Sequence, residues 1–281
     1  MKNDPPGKER IPGPPPHSTG DLAGREFWER NWAVKKMYGQ YNPGNYTHRR
    51  YDAFFRRHLA GAAGRTLLEV GCAQSSWLPY FHRVHGLRVV GIDYSPTGCD
   101  MARRLLEEAG VPGDIRERDL FAESPDLDGS ADYLFSLGFI EHFEDTVDVL
   151  RRMRRILKPG GRILTIVPNF AGWLGTVQKF VHPDVYRMHV ILDRSDVDRA
   201  HRQAGFATVE SGYLGSIASE VVKYPEASTL RLRILRKVLK KITKACWLLF
   251  RATGWHPETV RLSPYIAYVG VRRDAEAASR P

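Results

Sequence analysis

Thr66-Leu-Leu-Glu-Val-Gly-Cys-Ala-Gln-Ser-Ser-Trp77 runs from an apolar segment through one acid and a glycine into small and polar residues. Leu67, Leu68 and Val70 have the character of a strand buried within a parallel sheet, and Gly71 marks a sharp turn. Small residues after such a strand let backbone approach a ligand closely. The helix that follows offers free N–H groups at its start. Strand, glycine turn and helix together predict a nucleotide-like cofactor.

Outward from this stretch the chain alternates. A helix is expected from about Trp77, with Ser76 as N-cap and Pro79 tolerated in its first turn. A second strand, Arg88–Ile92, ends at Asp93, and a helix over 96–109 stops at Gly110 and Pro112. Strands at 114–118, ending in Asp119, and at 133–137 follow; a helix over 145–157 and the turn Lys158-Pro-Gly-Gly161 lead to a strand at 162–167. Residues 168–192 read as irregular and aromatic, then come a helix at 195–204, a strand at 206–213 and a last strand, Tyr265–Val271. This alternation predicts an α/β fold with a doubly wound, mostly parallel sheet of seven strands. On the amino side, residues 1–24 are proline-rich with little to bury and read as disordered. Residues 25–62 read as a helical cap carrying Phe27, Trp28, Trp32, Val34, Met37 and Tyr38, then Phe54 and Phe55.

In an open parallel sheet, ligands bind beyond the carboxyl ends of the strands, where the strand order reverses. That places Gly71, Asp93, Asp119 and the Leu137–Gly138 step together. Asp93 lies 22 residues beyond Gly71, the spacing at which an acid accepts hydrogen bonds from ribose hydroxyls. Asp119 is placed to meet an adenine edge.

At these positions the chain resembles the class I S-adenosylmethionine-dependent methyltransferases, in particular the type 11/12-like domain, over about residues 64–170 with a looser match to 272. Glu69-Val-Gly-Cys-Ala73 resembles the first motif, an acid followed by Gly-x-Gly. Ile92-Asp-Tyr-Ser95 resembles the ribose-binding strand end and Arg118-Asp-Leu120 the adenine-side motif. Phe135-Ser-Leu-Gly-Phe-Ile-Glu-His142 looks like the fourth-strand motif, and Leu157-Lys-Pro-Gly-Gly-Arg-Ile-Leu164 like the turn into strand five. The resemblance implies a Rossmann-like sheet closed by an antiparallel hairpin. It also implies S-adenosyl-L-methionine as cofactor, held among Glu69, Gly71, Ala73, Asp93, Tyr94, Asp119, Leu120 and Leu137. One departure is Ala73, where the family has glycine; its methyl adds bulk close to the cofactor. A nicotinamide-dependent oxidoreductase would need glycine at Ala73 and Ser76, and leaves Asp119 unexplained.

Methyl transfer depends largely on positioning, because the sulfonium methyl is already activated. The expected acceptor is an oxygen, or less readily a nitrogen, of a small molecule or a glycan or lipid-linked intermediate. A hydroxyl acceptor must lose its proton, so His142 and His189 are candidate bases. His142 reads equally as holding the strand-four loop, Glu141 as orienting either histidine, and His182 as shaping a turn before proline. The acceptor pocket is expected between Trp28, Trp32, Tyr38, Tyr41 and Tyr46 on one side and Phe170 to Tyr186 on the other. The competing class is a binding or scaffold protein that keeps this fold without turnover.

The 281 residues carry a net charge of +10 and three cysteines. Cys72, Cys99 and Cys246 lie far apart without metal-ligand spacing, so no metal is expected, and they suit buried positions in a reducing cytoplasm. The N-terminal stretch has no apolar h-region, and no run of about 18 apolar residues occurs. Excess charge concentrates within an insert over 216–257. There Leu235, Val238, Leu239, Ile242, Cys246 and Leu249 recur at helical spacing across 230–250, opposite a face of lysines and arginines. No acid occurs from Ala227 to Pro257. A helix packed on the body with a solvated basic face, an interfacial helix touching an anionic membrane and contact with nucleic acid all stay open. The absence of an RNA-binding module argues against the last.

Overall fold

The apolar run Thr66–Val70 forms β1, and its residues point alternately to two cores, as a strand covered on both faces requires. The computed structural model describes residues 20–34, 40–225 and 227–273. Beside β1 lie β2 (Arg88–Asp93), β3 (Gly113–Glu117), β4 (Ala131–Leu137), β5 (Leu157–Pro168), β6 (Phe206–Leu214) and β7 (Tyr265–Arg272). The sheet order is β3-β2-β1-β4-β5-β7-β6. β1 pairs in parallel with β2 (Glu69 opposite Gly91) and with β4 (Glu69 opposite Phe135), whereas β7 runs antiparallel to β5 and β6. The order therefore reverses between β1 and β4, which opens a crevice at their carboxyl ends.

Leu67, Phe135 and Leu164 face a core shared with α2 (Tyr46–His58), α3 (Trp77–His85) and α4 (Pro96–Ala109). Leu68, Leu134 and Ile163 face the opposite core, closed by α5 (Thr146–Ile156) and α8 (Arg194–Gln203). The fold class is the one expected, including the antiparallel end hairpin. The helix ends follow from local chemistry. Ser95 caps α4 by accepting the Gly98 N–H at 2.9 Å, and Gly110 stops it with φ +61°. At α3 the hydroxyl accepting the Trp77 N–H is that of Ser75, at 3.2 Å, one residue before the expected cap.

Three segments differ from expectation. Residues expected to be irregular form α6 (Trp173–Val181) and α7 (Pro183–Arg187). Their inward positions include Gln178, which breaks the apolar period. Its buried amide instead accepts the Lys223 N–H at 2.8 Å and donates to the Lys223 carbonyl at 3.2 Å. The Lys158–Gly161 turn is absorbed into β5 as a register shift, with Ala131 opposite Leu157 and Tyr133 opposite Arg162. Gly20–Gly24, read as the end of a disordered tail, is tied to the body. The Leu22 N–H donates to the His142 carbonyl at 2.8 Å, and the Glu144 N–H donates to the Gly20 carbonyl at 3.0 Å. Residues 1–19 and Met37 and Tyr38 lie outside the described residues.

The expected helical cap comprises α1 (Arg25–Val34) and α2. The basic segment forms α9 (Leu230–Thr253), capped by Thr229 and ended by Gly254 at φ +67°. Its buried side takes only part of the expected stripe: Leu235, Leu239 and Cys246 are partly covered. Leu232 and Leu235 meet a small core around Phe170, Leu174 and Val222, Thr243 and Phe250 are buried, and Trp247 stacks on Tyr46 at 5.2 Å. Val238, Ile242 and Leu249 are instead 46%, 48% and 54% exposed. Among the described residues no helix is long and apolar enough to cross a membrane.

Phe55 joins cap to sheet, with its ring 5.1 Å from Trp77, 4.8 Å from Phe81 and 5.4 Å from Phe135. Phe55→Ala removes a fully buried ring and should lower unfolding free energy by about 3–5 kcal/mol in urea denaturation. A loss under about 1 kcal/mol would show that α2 does not share the cooperative core.

Candidate active site

At the carboxyl edge of the sheet lies a cavity of about 220 Å³ lined by residues from four strand ends and from the N-terminal segment. The turn after β1 shapes its floor. Gly71 has φ +74°, and a side chain there would meet the ring of Phe139 at 2.7 Å. Glycine is required twice over, by backbone conformation and by space. The Gly71 and Cys72 N–H groups both donate to the Ile92 carbonyl, at 2.9 and 3.2 Å, binding the turn to the end of β2.

There Asp93 lies buried, and its carboxylate accepts the Ser95 N–H at 2.9 Å and the Ala73 N–H at 3.2 Å. Burial pushes its carboxyl up to about 6, with these two N–H groups acting in the opposite direction. Gly71, Asp93, Tyr94, Asp119 and Leu120 all line the cavity, as expected of a shared site. Glu69, Ala73 and Leu137 do not. Glu69 lies beneath the turn and accepts the Ser75 hydroxyl at 2.5 Å, while Leu137 packs against the α2–α4 core.

The N-terminal segment supplies lining that the sequence offered no sign of: Asp21, Gly24 and Arg25. The Tyr94 hydroxyl donates to Asp21 at 3.0 Å, and the Arg25 guanidinium lies 5.2 Å from the Tyr94 ring centre. Burial and the Asp21 carboxylate hold the Tyr94 phenol well above its usual range.

Residues 68–165 match the family model described as a methyltransferase domain. A ubiquinone biosynthesis O-methyltransferase of Pseudomonas paraeruginosa is 34% identical over 110 residues, which is 39% of this chain and 47% of that protein. An S-adenosyl-L-methionine-dependent Diels–Alderase of Talaromyces variabilis is 30% identical over 152 residues, covering 50% of this chain and 52% of that one. The chain thus spans about half the length of the curated relatives it matches. In fold it is similar to geranyl diphosphate C-methyltransferase of Streptomyces coelicolor, with a TM-score of 0.56 at 20% identity over 88% of this chain and 97% of that structure. The chain carries a class I S-adenosylmethionine-dependent methyltransferase domain.

In this methyltransferase domain the alanine at the second glycine position is accommodated away from the cavity. A side chain at Gly98 of α4 would come within 2.6 Å of the Ala73 methyl, so the space that methyl occupies is left by Gly98. Cys72 uses a similar vacancy, its sulfur lying where a Gly91 side chain would stand, and Cys72 and Cys99 are both buried free thiols.

Beyond β4, Ile140–His142 form one 3₁₀ turn, flanked by the cavity-lining Phe139 and Phe143. His142 and His189, well separated in the sequence, are brought together with ring centres 4.4 Å apart. His142 donates its Nδ1–H to the Met188 carbonyl at 2.8 Å, and His189 donates its own to the Val185 carbonyl at 2.7 Å. Burial lowers His142 to about 4 and His189 to about 3, the second also by the nearby His142, so both imidazoles are neutral. His182 stays apart, at the joint between α6 and α7.

The expected aromatic wall divides. Trp28 of α1 sets its ring 5.1 Å from His142, edge to face, and stacks on Trp32 at 5.3 Å. Phe170 meets His189 at 4.8 Å. Tyr41 instead packs on Tyr80 at 4.9 Å, and Tyr46 joins α9, away from the histidines.

Burial, opposed by the Ser75 hydroxyl, pushes Glu69 up to about 8. Native Glu69 keeps its proton where the unfolded chain has released it at about pH 4.3, so stability declines as pH rises between these values. Urea midpoints should therefore fall from about pH 6.5 to about pH 8.5, and less steeply in Glu69→Gln. Equal slopes in the two proteins would remove Glu69 as the cause.

Proposed function

We propose that this chain binds S-adenosylmethionine in the cavity at the sheet edge and methylates a hydroxyl oxygen of a small molecule. The observation that carries the reading is the meeting of Gly71, Asp93, Tyr94 and Asp119 around one cavity, with the neutral His142–His189 pair beside it. The residues fit the cofactor: bare backbone at Gly71 admits close approach, and Asp93 presents an acid at the ribose position. When bound, the cofactor supplies a sulfonium methyl already activated for transfer.

The chain's own share is positioning. Asp93 accepts from the ribose hydroxyls and Asp119 faces the base edge, while Trp28 and Phe170 pack against the two histidine rings. Ionisation of the acceptor hydroxyl falls to the groups around His142 and His189. Oxygen is favoured over nitrogen by the likeness to the ubiquinone biosynthesis O-methyltransferase of Pseudomonas paraeruginosa.

Calorimetry with S-adenosylhomocysteine should show one site in the wild type, and Asp93→Ala should weaken it by more than about tenfold, or about 1.4 kcal/mol. No heat from folded wild-type protein would overturn the reading. With methyl-labelled donor, label should enter phenols and alcohols; label confined to amines would sink the oxygen assignment.

We also infer a lipid-facing role for α9. Leu230, Ile234, Val238, Ile242 and Leu249 leave an exposed apolar stripe along it, bordered by Lys237, Lys241 and Lys244. Apolar side chains beside a cationic edge without acids suit an anionic bilayer surface, which would bring a lipid-linked acceptor to the site. Vesicles containing anionic lipid should sediment the protein at low salt, and Lys237→Glu with Lys241→Glu should release it. Sedimentation that is indifferent to anionic lipid would rule the surface out.

A further inference from the structure

Glu141, His142 and His189 form a three-residue cluster able to supply metal ligands, the one such group among the described residues. One ligand atom from each lies within 4.8 Å of the other two. Glu141 is 2% exposed, and neither carboxylate oxygen has a hydrogen-bond partner. A buried carboxyl left in this state is among the costliest groups in a protein interior.

The two imidazoles make the arrangement specific. A carbonyl can only accept, so the bonds to Met188 and Val185 fix the proton on Nδ1 in both rings and leave the lone pair on Nε2. Anchoring one ring nitrogen on a carbonyl while the other points at a common centre is the outer arrangement of metal-bound histidine. The backbone is clamped as well. The Val190 N–H donates to the Glu141 carbonyl at 2.7 Å, and the Leu22 N–H holds the His142 carbonyl. A buried carboxyl and two anchored imidazoles thus lie close together, and a cation among them would satisfy all three.

We propose that Glu141, His142 and His189 hold a divalent first-row transition-metal cation beside the cofactor cavity. Two imidazoles and one carboxylate suit zinc, cobalt or ferrous iron, whereas magnesium and calcium take oxygen ligands. Three protein ligands leave a position open, and His189 is the partly exposed member through which that position is reached. A hydroxyl bound there ionises more readily and passes its proton to solvent. The histidines then promote ionisation as ligands. That role rests on the proposed methyl transfer; the cation site itself does not.

The full chain, stripped with chelator, is titrated with Co²⁺ and Zn²⁺, and the same samples are titrated with S-adenosylhomocysteine. The expected result is one retained equivalent of metal with a visible Co²⁺ absorption band. Glu141→Gln and His189→Ala should weaken it by more than about 100-fold, beyond the loss typical of outer-shell changes. His256→Ala, at a histidine bonded to Tyr46 far from the cluster, should retain it. Wild-type protein that binds S-adenosylhomocysteine but no metal overturns the cation site and leaves methyl transfer standing. Metal binding without S-adenosylhomocysteine binding does the reverse. Retention of full affinity in Glu141→Gln also overturns the site, and circular dichroism checks each fold; should His189→Ala unfold, Glu141→Gln decides alone.

Discussion

The turn at Gly71 is the constraint on which the site depends. Its positive φ redirects the chain at the end of β1, and its missing side chain admits the Phe139 ring from the loop after β4. The same turn hangs from the Ile92 carbonyl of β2. Three strand ends are therefore referred to one backbone position, so Asp93, Phe139 and the cavity between them are set together.

Buried acids divide the site into parts of different character. Glu69 has the Ser75 hydroxyl and Asp93 has two backbone N–H groups, so each is compensated and serves to hold the cradle. Glu141 has no such partner, although it is as deeply buried. Protein interiors rarely leave a carboxyl in that condition without a use for it. The contrast separates a scaffold built for the cofactor from a neighbouring cluster built around something else.

The sheet was legible because β1, β2 and β4 are short apolar runs that stop at Gly71, Asp93 and Gly138, at the spacing of a strand–helix repeat. Gly71, Asp93 and Asp119 could be read as site residues for the same reason: strand ends in a parallel sheet share an edge. Asp21 and Arg25 could not, since their place follows from backbone pairing of Leu22 with His142, which leaves no pattern in side-chain types. The helices after β5 were hidden by the inward Gln178, whose burial depends on the backbone of Lys223 far along the chain. On α9 the period was right and the phase only partly so, Leu235, Leu239 and Cys246 being covered and Val238, Ile242 and Leu249 exposed. Apolar residues occupy two stripes there, and which one is covered depends on where Phe170 and Val222 stand.

The contact between Ala73 and Gly98 has a wider meaning for reading such turns. The two positions share one small volume between a loop and a helix, and the chain has placed its methyl on the loop and its hydrogen on the helix. A pattern that inspects the loop alone scores this as a lost glycine. Counted across both surfaces, the small volume is filled once, and the methyl that fills it lines no part of the cavity.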